Sequence, residues 1–405
     1  MKQKNRTIYA VIGVIVLLLV GLVYAWSVMA KSIGAAFPEW TAAQLSLTFT
    51  LTMTLFCVGC LAGGFMAKKV KPANYLRISG VLFLVGFLIA SGAQSPAVLY
   101  LGFGVLCGFA SGLAYSAVMS TVSAWYPDKQ GLISGVLLMG FGLSSFFVGK
   151  IFAAAAPADG SDQWRAVFRT FAIVICIILV VCSFFFRKPG ADFVPPASAA
   201  KKQVREPATE MTTAAMMRSV PFWLYYVWAV LISAVGLALV SQASGIASEV
   251  GTDVAGGTIA TVVGLISILN GVGRVFFGTL FDKKGFKPTL ALCMVIFLIA
   301  SFILLAALKG GAFPLIVIGF IVGGFAYGAV TPTNSAIISD FFGRKNYPMN
   351  FSVINTNLIF ASFASTIAGK LYDNTQSYTS TIIMMIGLTI AGFVVYLAIR
   401  RPKAQ

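Results

Sequence analysis

Twelve apolar segments, each about as long as a membrane-crossing helix, follow one another along this 405-residue sequence. A helix needs about 20 apolar residues to cross the hydrocarbon core, where backbone groups find no water to bond. Charged residues make up only 10% of the chain, against about 25% in soluble domains. We therefore predict an all-α membrane protein and exclude a cytosolic enzyme, a nucleic-acid binder and a disordered regulator. The predicted spans are 7–36, 43–67, 73–93, 97–124, 130–155, 166–187, 220–248, 256–281, 288–308, 312–339, 347–371 and 378–400.

Basic residues are concentrated in alternate connections between these segments. The net charge is +17, and residues 68–71 and 283–287 are two of the lysine-rich connections. Four connections on the other side contain no Lys or Arg; they lie near residues 37–42, 94–97, 249–255 and 372–377. This asymmetry is the positive-inside signal. It predicts a multi-pass protein of the cell (inner) membrane, surrounded by lipid, with both termini in the cytoplasm and no nucleic-acid partner.

The two halves of the chain resemble each other in sequence. The motif Gly-Phe-Ala-x-Gly at 108–112 recurs at 324–328, and Gly-Lys-Ile at 149–151 recurs as Gly-Lys-Leu at 369–371. Both separations are about half the chain, which indicates two parallel six-helix repeats around a central cavity, a transporter architecture.

The segment between the sixth and seventh apolar runs has a different composition. It contains Pro189, Pro195, Pro196 and Pro207 with mixed charges, which is typical of a linker. We predict two six-helix pseudo-symmetric bundles at 1–187 and 220–405, joined by a cytoplasmic linker at 188–219.

The side chains needed for common enzyme chemistry are missing from the sequence. The chain contains no histidine, and its six cysteines all fall inside apolar segments. Triads that use histidine and histidine–metal sites are therefore impossible. Because paired carboxylates are also missing from the spans, we predict that the protein is not an enzyme and holds no metal or cofactor.

Several motifs carry a resemblance to a known family. The loop after the eighth span, 278–287, resembles the signature of the major facilitator superfamily. Further segments are similar to the oxalate:formate antiporter family within that superfamily, which is close to the monocarboxylate transporters. These segments are 21–28, 125–132, 221–223, 270–274 and 342–347. The resemblance implies the major facilitator fold, alternating access and a monomeric state.

The resemblance also implies a gating motif in the loop after the eighth span. Its residues here are Gly278, Asp282, Lys283, Gly285 and Lys287. Asp282, at a helix end, can pair with a lysine or with the N-terminus of a neighbouring helix. Gly285 permits a tight turn.

Arg274 is the one charge predicted to lie well inside a span. An intramembrane charge costs at least about 2.5 kcal/mol and is functional by default. Its planar guanidinium fits a carboxylate through two parallel hydrogen bonds, and the resemblance assigns this position to substrate binding. Asn270 lies one turn earlier on the same helix face. The alternatives are a structural arginine bonded to helix carbonyls and an asparagine that bonds another helix.

Aromatic residues in the spans supply further candidates for the binding site. The resemblance points to Tyr115, with Tyr24, Trp26 and Tyr327 as possible partners. Their rings would shield a carboxylate from water and their polar atoms would donate hydrogen bonds. The alternative for each ring is packing between helices.

The eleventh span lacks a lysine that the resemblance to oxalate exchangers would place there. The resemblance places a lysine of oxalate exchangers at the position of Ile354, and the neighbouring Asn355 is polar but uncharged. One fixed cation, Arg274, suits one carboxylate and would neutralise a dianion poorly in a low dielectric.

These observations predict an alternating-access secondary transporter of small monocarboxylate anions of the formate, lactate or pyruvate class. It would work by anion exchange or by proton-coupled symport, in which the proton is the substrate's own or is carried by Glu249, Asp253 or Asp373 near the outer ends. We also expect Pro332 to bend the tenth span. The alternatives are a dicarboxylate exchanger of the oxalate:formate type and a carboxylate sensor of transporter ancestry.

Overall fold

A computed structural model describes residues 6–66, 70–126, 130–190, 209–343 and 346–402. Within these ranges all regular secondary structure is helical, and 12 helices are long and apolar enough to cross a membrane. The predicted all-α fold with twelve transmembrane helices is therefore confirmed.

The first six spans lie in the first half of the chain. Their helices are Arg6–Val20, Gly21–Ala25 and Trp26–Ala36 (span 1), Ala42–Met66 (span 2), Pro72–Ser91 (span 3), Pro96–Leu99, Tyr100–Cys107 and Gly108–Trp125 (span 4), Gln130–Ala155 (span 5) and Gln163–Phe185 (span 6).

The other six spans follow a short helix, Thr213–Met217. They are Val220–Val250 (span 7), Gly256–Lys284 (span 8), Phe286–Gly310 (span 9), Phe313–Tyr327 with Val330–Phe342 (span 10), Tyr347–Asn355 with Asn357–Thr375 (span 11) and Thr379–Ala398 (span 12).

The chain forms two compact units. Unit 1 consists of residues 1–40 and 48–203, and unit 2 of residues 41–47 and 204–405. The start of span 2 thus groups with unit 2, whereas a division at the linker alone would leave it in the first half. The cause is a set of tertiary contacts: the Asp373 carboxylate accepts hydrogen bonds from the backbone N–H groups of Ala42 and Ala43, at 2.8 and 2.9 Å. Gln242 Nε2 also donates to Ser46 Oγ at 2.8 Å.

The last glycine of the repeated Gly-Phe-Ala-x-Gly motif packs closely against a neighbouring helix in each unit. In unit 1, Gly112 of span 4 lies against the Phe56 carbonyl of span 2, so closely that an added Cβ would overlap it. In unit 2, Gly328 of span 10 lies in the same way against the Asn270 carbonyl of span 8. Small residues allow such close backbone approach between membrane helices. Each unit thus contains a tightly packed helix pair at this motif.

Four spans are irregular along their length. Span 1 contains a 3₁₀ segment at Gly21–Ala25, span 4 a π-helical segment at Tyr100–Cys107, and span 11 a break at Thr356. Span 10 is interrupted between Tyr327 and Val330, one turn before Pro332. Proline has no N–H for the carbonyl four residues earlier, and the break falls where that bond is lost. Such interruptions often mark hinges or functional segments.

Candidate functional site

Arg274 lies on the protein-facing side of span 8. Its side chain is only 8% exposed, and Asn270, one turn earlier, is 6% exposed. The large apolar residues Val272 and Val275 of the same helix are at least half exposed and would face lipid in a membrane. Arg274 lies ten residues before the end of the helix, roughly 15 Å along its axis at 1.5 Å per residue. The span thus carries a cation well within its length, turned to the protein interior.

Asn270 brings an unused hydrogen-bond acceptor to this helix face. Its Oδ1 atom is buried and accepts no hydrogen bond from any residue that the structure describes. A buried polar atom without a partner costs about 1–3 kcal/mol. Such an atom beside a guanidinium favours a site that a polar ligand completes.

An aromatic cluster occupies the equivalent place in unit 1. Tyr115 lies 5.2 Å from Phe56 and 5.4 Å from Phe141 between ring centroids, and Tyr24 lies 5.4 Å from Phe141. Tyr24 belongs to the 3₁₀ segment of span 1, which is held by a hydrogen bond from Ser145 Oγ to the Tyr24 carbonyl. The structure therefore brings the predicted residues Tyr24 and Tyr115 together.

Sequence reasoning did not select Phe56 and Phe141. An aromatic residue in an apolar span carries no signal of its own. The internal repeat contained a usable signal, however, because Phe56 occupies in unit 1 the position of Asn270 in unit 2. Both residues offer their carbonyl to the last glycine of the repeated motif.

Three other predicted residues have different surroundings. Trp26 is 1% exposed and lies 4.7 Å from Phe103 in the packed aromatic core of unit 1, which favours the packing alternative. The Tyr327 ring lies so close to Gly236 of span 7 that a Cβ added to this glycine would overlap the ring. Asn355 is half-buried and ends the first helix of span 11.

Uncharged polar side chains surround the break in span 11. Tyr226 and Thr356 share a hydrogen bond between their hydroxyls at 2.9 Å, and Ser233 Oγ donates to Asn357 Oδ1 at 2.9 Å. Asn357 Nδ2 in turn donates to the Ile354 carbonyl at 2.6 Å. The Ile354 side chain itself is fully buried. Ile354 is the position at which the resemblance places the lysine of oxalate exchangers. In this protein that position therefore carries a buried apolar side chain.

The loop after span 8 has the geometry that its glycine predicts. Gly285 ends the helix at φ +82°, a conformation that favours glycine, and its N–H donates to the Phe281 carbonyl at 2.8 Å. Asp282 and Lys283 are exposed. Lys287 Nζ lies 4.9 Å from the centre of the Tyr396 ring in span 12, and a Cβ added to Gly278 would lie 3.6 Å from the Pro332 Cβ of span 10.

Two carboxylates predicted as possible proton carriers are already engaged at the ends of spans. Glu249 accepts hydrogen bonds from Ser377 Oγ and from the Tyr378 backbone N–H, both at 2.7 Å. Asp373 caps the start of span 2. Burial, reinforced by Tyr372, Glu249 and Asp373, raises the pKa of the neighbouring Tyr378 well above its usual range. The third candidate, Asp253, is exposed.

The described ranges contain no cluster of metal-binding side chains. No group of three or more His, Cys, Asp or Glu side chains there could hold an ion. Cys60, which follows Phe56 by one turn, instead donates its thiol hydrogen to the Gly112 carbonyl, with a sulfur–oxygen distance of 3.4 Å.

Within the described ranges, twelve apolar helices lie in two compact units that share a repeated helix pair, and Arg274 lies on the buried face of one of them; these features indicate a membrane transporter rather than an enzyme. The family model of the Major Facilitator Superfamily matches residues 7–304 and 240–405. The chain belongs to this superfamily.

Similar proteins agree with that assignment. The oxalate:formate antiporter of Oxalobacter formigenes is 26% identical over 396 residues, which covers 96% of this chain and 92% of the relative. Monocarboxylate transporter 13 of Bos taurus is 24% identical over 377 residues, covering 93% and 84%. Among solved structures, a bacterial homolog of the human lysosomal transporter Spinster, inward-facing and unoccupied, matches with a TM-score of 0.76, 14% identity and 98% coverage of both chains. The resemblance stated from the motifs is thus confirmed.

Proposed function

We propose that this protein is an alternating-access secondary transporter of small monocarboxylate anions of the formate, lactate or pyruvate class. The observation that carries the proposal is Arg274, a cation on the buried face of span 8 beside the unpartnered Asn270 Oδ1. A guanidinium in a low-dielectric site pairs with a carboxylate by two parallel hydrogen bonds. The relatives named above, which transport carboxylates by their names, support the same substrate class.

One carboxylate suits this site better than two. A dianion placed beside a single guanidinium would keep one uncompensated charge out of water, which is costly. The apolar, fully buried Ile354 offers no second cation on span 11. We therefore propose that oxalate is a poor substrate.

Asn270 adds a preference within the monocarboxylates. Its Oδ1 atom needs a hydrogen-bond donor, and the 2-hydroxyl of lactate provides one, whereas pyruvate and formate anions have none. We propose that this acceptor favours a 2-hydroxy monocarboxylate over its 2-keto counterpart.

Exchange is the transport mode that the charge favours. Closing the site with its anion bound keeps the Arg274 guanidinium paired with a carboxylate out of water, which favours movement of the loaded carrier. The carboxylates of Glu249 and Asp373, each with two hydrogen bonds in unit 2, serve as structural anchors in this proposal. The interrupted spans 1, 10 and 11 supply the bending that alternating access needs. We further propose a monomer in the cell (inner) membrane with cytoplasmic termini, as the positive-inside signal predicts.

Proteoliposomes test the proposal directly. Labelled L-lactate, pyruvate, formate and oxalate would be taken up into vesicles with and without an unlabelled anion inside. We expect lactate uptake at least tenfold above oxalate uptake, and severalfold faster uptake when the lumen contains lactate. Preferred oxalate uptake would favour the second candidate, a dicarboxylate exchanger like the Oxalobacter relative. Equal rates with and without internal anion would contradict exchange, and the lack of any flux would favour a sensor.

A further inference from the structure

A cavity in unit 1, away from Arg274, has a different chemistry. It lies between the start of span 3 and the end of span 6 and has a volume of about 640 Å³, which is in the range of ligand pockets. Four cationic side chains line it: Lys71, Arg77, Arg187 and Lys188. None of the lining residues that the structure describes is acidic. The described lining of the cavity therefore concentrates positive charge.

One of the four cations, Arg77, is held in place by neighbouring groups, and the backbone of a second, Arg187, is anchored. Arg77 Nε donates to Ser183 Oγ at 3.0 Å, and the guanidinium carbon lies 5.0 Å from the centre of the Phe184 ring. The Arg187 carbonyl accepts a hydrogen bond from Trp125 Nε1 at 2.8 Å, which fixes the backbone from which its side chain extends. A cation that is already positioned loses less entropy when it binds an anion. This distinguishes the cavity from a set of mobile surface lysines.

The cavity opens beside a surface that would face acyl chains in a membrane. Ile78 and Val81 on span 3 and Val181 and Phe185 on span 6 are each 45% to 60% exposed. They lie within two turns of the cationic side chains in sequence. An anion that fits both surfaces needs a charged head and an apolar tail.

We propose that this cavity binds the headgroup of an anionic phospholipid. The phosphate contacts Arg77, Arg187 and the two lysines, and the acyl chains lie along the exposed apolar sides of spans 3 and 6. Basic pockets between membrane helices on the cytoplasmic side are suited to such headgroups, and this end of the two spans is the one that the positive-inside signal places in the cytoplasm. Arginine supplies the paired donors that a phosphate accepts.

Native mass spectrometry of the delipidated full-length protein tests the site. The probes are dioleoyl phosphatidylglycerol, dioleoyl phosphatidylcholine and soluble glycerol 3-phosphate. We expect the wild-type protein to bind phosphatidylglycerol at least tenfold more tightly than phosphatidylcholine. Each basic side chain near an anionic lipid contributes about a fivefold change in affinity. The variant Arg77→Gln/Arg187→Gln should therefore lose about twentyfold in affinity for phosphatidylglycerol.

A matched variant controls for total charge. Arg218 and Arg400 are exposed arginines of unit 2 on the side predicted to be cytoplasmic, so Arg218→Gln/Arg400→Gln removes the same charge outside the cavity. Its affinity for phosphatidylglycerol should stay within about twofold of wild type. Lys71→Gln/Lys188→Gln, which keeps the Arg77–Ser183 contact, provides a second test if the arginine variant fails to fold, and it should also lose affinity for phosphatidylglycerol.

Several outcomes would overturn the site. An unchanged affinity in a folded cavity variant, or an equal loss in the matched control, would show that the cavity does not hold the lipid. Equal binding of phosphatidylcholine would show that charge does not select the occupant. If glycerol 3-phosphate bound as tightly as phosphatidylglycerol, the occupant would be a soluble phosphate and the lipid proposal would be wrong.

Discussion

The helix pairs of the two units share a scaffold and differ in chemistry. In unit 1 the last glycine of the repeated motif, Gly112, lies on the Phe56 carbonyl and the Cys60 backbone nitrogen. In unit 2 its counterpart Gly328 lies on the carbonyl of Asn270 and the nitrogen of Arg274. The same backbone positions therefore carry a phenyl ring and a thiol in one half, and an amide and a guanidinium in the other.

The helix packing is thus common to the two units, whereas the side chains beside it differ. Gly112 and Gly328 cannot be replaced freely, because any Cβ would overlap the neighbouring helix. The side chains of the two residues that each glycine lies on, one turn apart on that helix, are not limited in this way. In the proposed function, unit 2 supplies the charge and the hydrogen bonds that select an anion. Unit 1 supplies aromatic surface, in the cluster of Tyr24, Phe56, Tyr115 and Phe141.

Among the transport measurements, the largest effect should come from changing the guanidinium while keeping its charge. Arg274→Lys removes the planar pair of donors, and we expect lactate exchange in proteoliposomes to fall about thirtyfold, since hydrogen bonds to charged groups contribute about 1.5–3 kcal/mol. Cys60→Ser, the equivalent position of unit 1, is the matched control and should stay within about twofold. Near-normal exchange by the lysine variant would refute the bidentate pairing.

The amide beside it should affect one substrate and spare another. Asn270→Leu removes the acceptor for the hydroxyl of lactate, so lactate uptake should fall about tenfold while pyruvate uptake changes by less than about threefold. The measurement is competition between the two labelled substrates in the same vesicles. An equal loss for both would indicate a packing role for Asn270 between helices.

An ion pair at the end of span 10 should stabilise unit 2 and has no counterpart at the corresponding position of unit 1. Arg401 donates to the mostly buried Asp340 at the end of span 10, with a 2.7 Å distance, whereas Ala124 stands at the corresponding place in unit 1. Because Arg401 is 37% exposed, solvent weakens the pair, and Arg401→Gln should cost about 1 kcal/mol. A thermal melt in detergent would measure the lower Tm, and adding Asp340→Asn should restore part of it. An unchanged Tm would mean that the pair contributes nothing.

The smallest effect should lie in the aromatic half. Tyr115→Phe keeps the ring contacts with Phe56 and Phe141 and removes only the hydroxyl. We expect the KM for lactate to rise about threefold with little change in kcat, as for the loss of one neutral hydrogen bond. A kcat loss as large as that of Arg274→Lys would show that unit 1 also carries essential polar chemistry.

The fold could be predicted from the sequence because its main determinant is local. Hydropathy over about 20 residues locates the spans, and the missing N–H of Pro332 predicts a break in span 10. The 3₁₀ segment at Gly21–Ala25 had no comparable signal. The grouping of residues 41–47 with unit 2 depends on Asp373, some 330 positions away, and such long-range hydrogen bonds are invisible to hydropathy.

The candidate site likewise contains some residues that the sequence predicts and others that it does not. A single charge within a span is conspicuous, so Arg274 could be selected from the sequence, and Asn270 followed from helix geometry. Phe141 could not, because 13% of the residues are aromatic, and Phe56 could be found only by transferring the position of Asn270 through the internal repeat. Trp26 shows the converse, since a polar indole in a span attracts attention and here lies in the packed core.

The most direct test of the central claim is a binding titration of purified protein with L-lactate by isothermal calorimetry, comparing wild type with Arg274→Ala. We predict that the Kd of the variant rises at least a hundredfold, and a thermal melt without ligand checks that the variant is folded. A folded variant that binds lactate with the wild-type Kd would contradict it.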